Sequence, residues 1–198
     1  MKVPCVKKVW FLDLDGTLVD SNGVWDKIDR QLVKELGVQP DEETLLTLPS
    51  MTYERLYAFL TQNCGYAGTL QELKDHLDSL AVHEYAENIR AKPEGEELLR
   101  SVRKTGAKAV LFTASPERLY RPVLENNGLY DLFDGFVCSD DIGVPKSDSG
   151  AYTAIARMYG TPPEDCALAD DLPENLSAAE KAGFYTLRIY DKYSEADS

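Results

Sequence analysis

Histidine is scarce in this chain of 198 residues, which carries only His76 and His83. Its four cysteines, Cys5, Cys64, Cys138 and Cys166, are scattered with no C-x-x-C pair. Zinc sites draw on clustered cysteine and histidine, so zinc is poorly supplied and reduced, mostly buried thiols are expected. Long apolar runs are missing too: nothing approaches the roughly 20 residues of a membrane-spanning helix. The stretch MKVPCVKKVWFLDLD lacks the apolar centre and small-residue cleavage site of a secretory signal, because acids interrupt it early. A cytoplasmic protein with no membrane partner is the expectation. Positive charge is in short supply: 21 Lys and Arg face 34 Asp and Glu, a net charge of −13. That field disfavours nucleic acid and anionic membrane as partners. An anionic substrate would need a cation placed locally to overcome it.

What is present is ordinary for a protein with one substantial core: 43% apolar and 28% charged residues. Lys8–Leu14 reads as a strand from its continuous apolar, β-branched and aromatic run. A run without polar alternation suits a strand covered on both faces of a parallel sheet. Comparable runs recur at Ala107–Thr113, Gly135–Ser139, Cys166–Ala169 and Gly183–Ile189. Helical patterns alternate with them at Pro93–Lys104, Pro116–Asn127, Ser149–Tyr159 and Glu174–Ala182. This order predicts an α/β fold, a doubly wound, Rossmann-like parallel sheet built from residues 1–19 and 91–198. Residues 20–90 break the rhythm with helical stretches at Gly23–Leu36, Thr52–Gln62 and Thr69–Ile89, and read as an all-helical insertion.

The first strand runs directly into DLDGT, which places Asp13 and Asp15 one residue apart. Asp-Gly can close a hairpin, but a helical pattern follows where the partner strand would have to be. An EF-hand loop would need a preceding helix and a glutamate at its twelfth position, and that position is Val24. In an open α/β sheet, ligands bind at the carboxyl ends of the strands. Asp13 and Asp15 end the first strand, Thr113 ends the second, Lys146 follows the third, and Asp170–Asp171 end the fourth. Carboxylates, a hydroxyl and a cation are thereby expected at one sheet edge.

The stretches DLDGTLVDS, FTAS, GVPKSD and ADDLPEN, in that order, resemble the four motifs of the haloacid dehalogenase-like hydrolase superfamily. The helical insertion is similar to the cap of its phosphoglycolate phosphatase and β-phosphoglucomutase-like branch. The resemblance implies a magnesium-dependent phosphatase acting on a small phosphorylated metabolite. It implies Asp13 as nucleophile forming an aspartyl-phosphate, and Asp15 as the acid and base that serves the leaving oxygen and then water. Mg2+ would be held by the Asp13 side chain, the Asp15 backbone carbonyl and Asp170. Thr113, the Ala114 amide and Lys146 would bind the phosphoryl oxygens. A cap of this kind closes over small metabolites.

The last motif departs from the family pattern: Ala169 replaces its glycine, Asp171 follows at once, and Glu174 takes the later acidic position. Either acid could steady the ion and Lys146 from behind, or serve as a helix N-terminal acid; both readings stand. Ser147 stands where proline often follows the lysine. His76, His83 and Arg55 are expected on solvated faces. A β-phosphoglucomutase-type phosphomutase is the alternative, because it would share the same core. The stretch LTLPSMTYERL, residues 46–56, does not reproduce the glycine-serine-arginine element of such mutases. A dehalogenase lacks the second acid, and a non-catalytic binding module would not need every principal residue intact.

Overall fold

A computed structural model describes residues 6–21, 23–37, 45, 48 and 53–191. Cys5, the start of the helix expected from Thr52, most of the 46–56 stretch and the tail 192–198 lie outside them. The chain forms two compact units, Met1–Ser21 with Ile89–Ser198, and Asn22–Asn88.

The first unit is built on five parallel strands: β1 (Val9–Leu12), β2 (Lys108–Thr113), β3 (Gly135–Cys138), β4 (Cys166–Asp170) and β5 (Tyr185–Arg188). Their order is β3-β2-β1-β4-β5, so the direction of winding reverses beside β1. Parallel strands need covered crossovers, and helices supply them. In chain order these are α4 (Pro93–Lys104), α5 (Glu117–Asn126), the single turn α6 (Ser139–Ile142), α7 (Ser149–Met158) and α8 (Pro173–Lys181). The expected doubly wound α/β class is the one observed. Alternation along the strands divides the core in two. Val9, Phe11, Val110, Phe112, Cys166 and Leu168 face Tyr152 and Ile155 of α7 and Ala179 of α8. Trp10, Leu12, Ala109, Leu111 and Ala167 take the opposite face, where α4 packs on β2.

The three central strands β1, β2 and β4 are buried almost throughout. The edge strands differ from the sequence reading, since β3 and β5 are mainly half-buried, with Phe136 stacked between Tyr120 and Tyr130. Their apolar runs therefore reflect aromatic packing at a sheet edge rather than cover on both faces. α6 follows β3 with no loop between them, and no periodicity in four residues could have announced it.

The second unit holds α1 (Val24–Glu35), α2 (Tyr53–Asn63) and α3 (Leu70–Glu87). Thr69 begins α3 with a capping box, its hydroxyl accepting from the Glu72 amide while Glu72 accepts from the Thr69 amide at 2.7 Å. α3 packs against both α1 and α2. Lys27 pairs with the buried Glu84 at 2.6 Å, and His76 Nε2 lies 2.6 Å from Glu35 at a half-exposed position. His83 and Arg55 are exposed.

Two predictions come from this packing. A Cβ on Gly95 of α4 would sit 2.5 Å from the Thr17 carbonyl oxygen and 2.8 Å from Leu18 Cα. Backbone cannot yield as a side chain does, so Gly95→Ala should destabilise the protein by about 1–3 kcal/mol in urea unfolding. In α1, burial and then the nearby Asp26 push the Asp29 carboxyl up to about 7. An acid held above its unfolded value of about 3.9 favours the native state below that value and loses this contribution as pH rises through 7. The thermal midpoint should therefore fall between pH 5 and pH 8, and fall less in Asp29→Asn.

Candidate active site

Sheet register explains why distant acids meet. Phe11 pairs with Val110 on one side and Leu168 on the other. Two residues further along, Asp13, Phe112 and Asp170 share one level and, by alternation, one face of the sheet. Asp13 remains tied to β4 through its amide, which donates to the Ala169 carbonyl at 2.9 Å. The reversal of winding lies at this point, where the loops leave the β1 and β4 ends in opposite directions and open a crevice.

Lys146, from the loop between α6 and α7, enters that face. Its ammonium lies 2.5 Å from Asp13 Oδ1, 2.7 Å from Asp170 Oδ2 and 5.3 Å from the Phe112 ring centroid. All three charged side chains are less than a tenth exposed. Burial alone would push the lysine down, but the Asp13 and Asp170 carboxylates outweigh it and hold Lys146 well above its ordinary value. Asp13 moves up as well. Burial is the largest cause; Lys146 opposes it, while Asp170 and Asp15 add repulsion. One ammonium therefore does not fully compensate the acids gathered around it. Lys146 is a buried cation in a chain of net charge −13.

Asp170 is fully buried and is held from behind. Its Oδ1 accepts from the Leu172 amide at 2.9 Å, and the Asn175 carboxamide spans both oxygens at 3.1 and 3.2 Å. Asp171 is buried beside it and accepts a hydrogen bond from the Thr17 hydroxyl at 3.4 Å. Glu174 instead lies exposed in the first turn of α8. Oxygens of Asp13, Asp170 and Asp171 all lie within 4.8 Å of one another. Three buried carboxylates with a surplus of negative charge suit a hard divalent cation that takes oxygen ligands at short range.

Asp15 is half-buried, and its two oxygens have separate partners: Ser21 donates to Oδ1 and Ser115 to Oδ2, each at 2.6 Å. Thr113 is fully buried, and its hydroxyl oxygen accepts from the Ser115 amide at 2.9 Å. Ala114 is exposed beside it, at the rim of an open cleft of about 650 Å³ that Ser139, Asp140, Lys146, Ser147 and Glu174 also line. Of the residues singled out in the sequence, Asp13, Lys146, Asp170 and Asp171 form one cluster. Asp15, Thr113 and Ala114 border it, joined through Ser115. Sequence reasoning passed over Asn175, Ser115, Ser21 and Thr17. All four lie inside the motif stretches, but hydroxyl and amide partners of a carboxylate carry no spacing of their own.

A family model described as haloacid dehalogenase-like hydrolase matches residues 7–183. A phosphoglycolate phosphatase of Pseudomonas putida is 28% identical over 177 residues, covering 86% of this chain and 65% of that enzyme. Hexitol phosphatase B of Escherichia coli is 25% identical over 175 residues, covering 86% of this chain and 78% of that one. The chain thus spans just under two thirds of the Pseudomonas enzyme's length. Among solved structures, a putative β-phosphoglucomutase from Thermotoga maritima superposes with a TM-score of 0.79 at 19% identity, covering 96% of this chain and 90% of the other. CbbY from Rhodobacter sphaeroides, in complex with phosphate, gives 0.78 at 20% identity, with 97% and 90% covered. These two likenesses establish the shared fold.

Removing the ammonium leaves buried carboxylates facing each other. Lys146→Met should lower the unfolding free energy by about 3–5 kcal/mol at pH 8, the usual cost of breaking a buried pair from one side. At pH 5 the urea midpoint should recover part of that loss, because protonating Asp13 relieves the repulsion.

Proposed function

The chain belongs to the haloacid dehalogenase-like hydrolases, and from that premise we propose that it is a phosphatase of small phosphomonoester metabolites. The observation that carries this reading is the joining of two chemically different acids at one crevice. Asp13 is buried against a lysine, while Asp15 is half-buried and bonded by two serine hydroxyls. The first environment suits a nucleophile and the second a group that exchanges protons with a leaving oxygen and with water. Relatives named phosphoglycolate phosphatase and hexitol phosphatase favour hydrolysis over phosphotransfer between sugar positions.

In this reading a carboxylate oxygen of Asp13 attacks phosphorus in line with the ester bond. That bond breaks as Asp15 gives its proton to the departing oxygen, leaving an aspartyl-phosphate. Asp15, now ionised, takes a proton from water; the hydroxide attacks phosphorus, and the bond to Asp13 breaks to release phosphate. Thr113, the Ala114 amide and Lys146 hold the phosphoryl oxygens and counter their charge. Lys146 also opposes the effect of burial on Asp13 and so favours its ionised form, which a nucleophile requires. Asp13, Asp170 and Asp171, with the Asp15 carbonyl, are the groups that would hold Mg2+. When bound, it supplies charge that lets an anionic carboxylate approach an anionic phosphate. Asn175 fixes the orientation of Asp170 for that purpose. Residues 1–19 and 91–198 are the catalytic core in this reading, and residues 20–90 are its cap. The location is read as cytoplasmic; among the described residues no helix is long and apolar enough to cross a membrane.

Hydrolysis of p-nitrophenyl phosphate, and of a panel containing 2-phosphoglycolate, hexitol phosphates and pentose bisphosphates, tests this reading. Turnover should require added magnesium and vanish with chelator. Asp13→Asn should lower kcat by at least about 10³-fold, as expected on removing a covalent nucleophile. Wild-type protein inert towards the whole panel would remove the enzyme reading and leave a binding module. Full activity in Asp13→Asn would remove the nucleophile.

A further inference from the structure

A second, largely enclosed ammonium lies away from the acid cluster. Lys92 stands at the start of α4, where the chain returns from the inserted helices. Its amide donates to the Leu18 carbonyl at 2.8 Å, beside a bridge that pairs Val19 with Ala91. Its side chain then reaches three oxygens from two other segments. The Gly16 carbonyl lies 2.6 Å away, the Tyr190 carbonyl 2.8 Å and Asp191 Oδ2 2.9 Å. An ammonium has three N–H donors, so all of them are engaged. The Lys92 side chain is 11% exposed and Asp191 only 4%. With its three donors engaged, the ammonium is held from three directions, and the buried Asp191 is its charged anchor.

The Gly16 carbonyl is the informative partner. Gly16 follows Asp15 directly and has a φ of 73°, where a residue without a Cβ can swing its peptide unit at little cost. Its amide is tied to the Val19 carbonyl at 3.0 Å, and the next peptide plane is held by the Thr17 amide, which donates to the Leu14 carbonyl through a longer bond of 3.3 Å. The same plane sets the start of Thr17, whose hydroxyl donates to Asp171. An ammonium on the Gly16 oxygen at 2.6 Å adds a short, charge-assisted contact to that longer bond and holds the plane more tightly.

We propose that Lys92, clamped by Asp191 from the segment after β5, is a positioning residue that aims Asp15 by fixing the Gly16 carbonyl. The proposal rests on the reading of Asp15 as proton donor to the leaving oxygen. It assigns a role in the reaction to two residues that lie outside all four motif stretches and touch no phosphate ligand. The segment after β5 thereby becomes part of the catalytic apparatus rather than a trailing end.

Leaving-group dependence separates positioning from plain structural support. For attack by Asp13, kcat/KM reports the steps through departure of the leaving group, so the later water step does not enter. Nitrophenolate departs without a proton, whereas the more basic phenolate needs one. In Lys92→Met, kcat/KM for phenyl phosphate should fall about 10- to 100-fold, a share of what a well-placed general acid contributes. The value for p-nitrophenyl phosphate should fall by no more than about threefold on the same reasoning. Asp191→Asn keeps the ammonium on Gly16 but loosens it, and should show the same selectivity at smaller size; it carries the test if Lys92→Met does not fold by circular dichroism. Asp15→Asn serves as the reference. If Asp15→Asn is selective against phenyl phosphate while the Lys92 and Asp191 variants lower both esters equally, or neither, the positioning role is overturned alone. If Asp15→Asn shows no selectivity, the proton-donor reading fails and the proposal fails with it.

Discussion

The contact between Lys146 and the two acids Asp13 and Asp170 is the constraint around which this molecule is arranged. Three charges less than a tenth exposed cannot be assembled from one segment of chain. They need one sheet to bring two strand ends level, and a third loop to deliver the cation. A parallel sheet with β1 between β2 and β4 does this, since equal register puts Asp13 and Asp170 on one face at one height. The same arrangement places Phe112 beneath the lysine, so the ammonium rests on an aromatic face while its charge points at the acids.

That assembly is also strained electrostatically. Asp13 is raised by burial despite its lysine, and a third acid, Asp171, stands within 4.8 Å of the pair's oxygens. A site designed for stability alone would not gather these groups; replacing a buried ion pair with apolar side chains is often neutral or stabilising. Surplus negative charge fits the divalent cation that the proposed reaction calls for. The nearby hydrogen bonds serve the same end, with Asn175 spanning Asp170 and the two serines holding Asp15. A further ammonium, the largely enclosed Lys92, ties the turn after Asp15 to the segment after β5. Among the described residues, the interior of the first unit is mainly apolar between its strands and helices, and its buried charges lie near the carboxyl ends of the strands.

Much of this was legible in the chain before any coordinates. Apolar runs marked all five strands, and glycines such as Gly128 and Gly160 marked helix ends. The acids, Thr113 and Lys146 could be placed at one edge because every strand in a parallel sheet points the same way. The edge strands were less legible. Phe136 and its aromatic neighbours give the same apolar reading as a fully covered strand, and only the sheet order shows that β3 has one neighbour. The pairings Asn175–Asp170 and Ser115–Asp15 were equally hidden, because a hydroxyl or amide partner is selected by distance and angle, not by spacing along the chain.

The sequence by itself determined the alternation of strands and helices, and it carried the residue types from which a site could be proposed. These follow from local periodicity and from residue types whose chemistry travels with them. Tertiary structure decided which acids share a cation, which of Asp171 and Glu174 faces inward, and that Lys92 grips the turn after Asp15. Each of these depends on strand order and register, which bring together residues as far apart as Lys92's carbonyl partners at 16 and 190. No local rule spans that distance; only the closed sheet measures it.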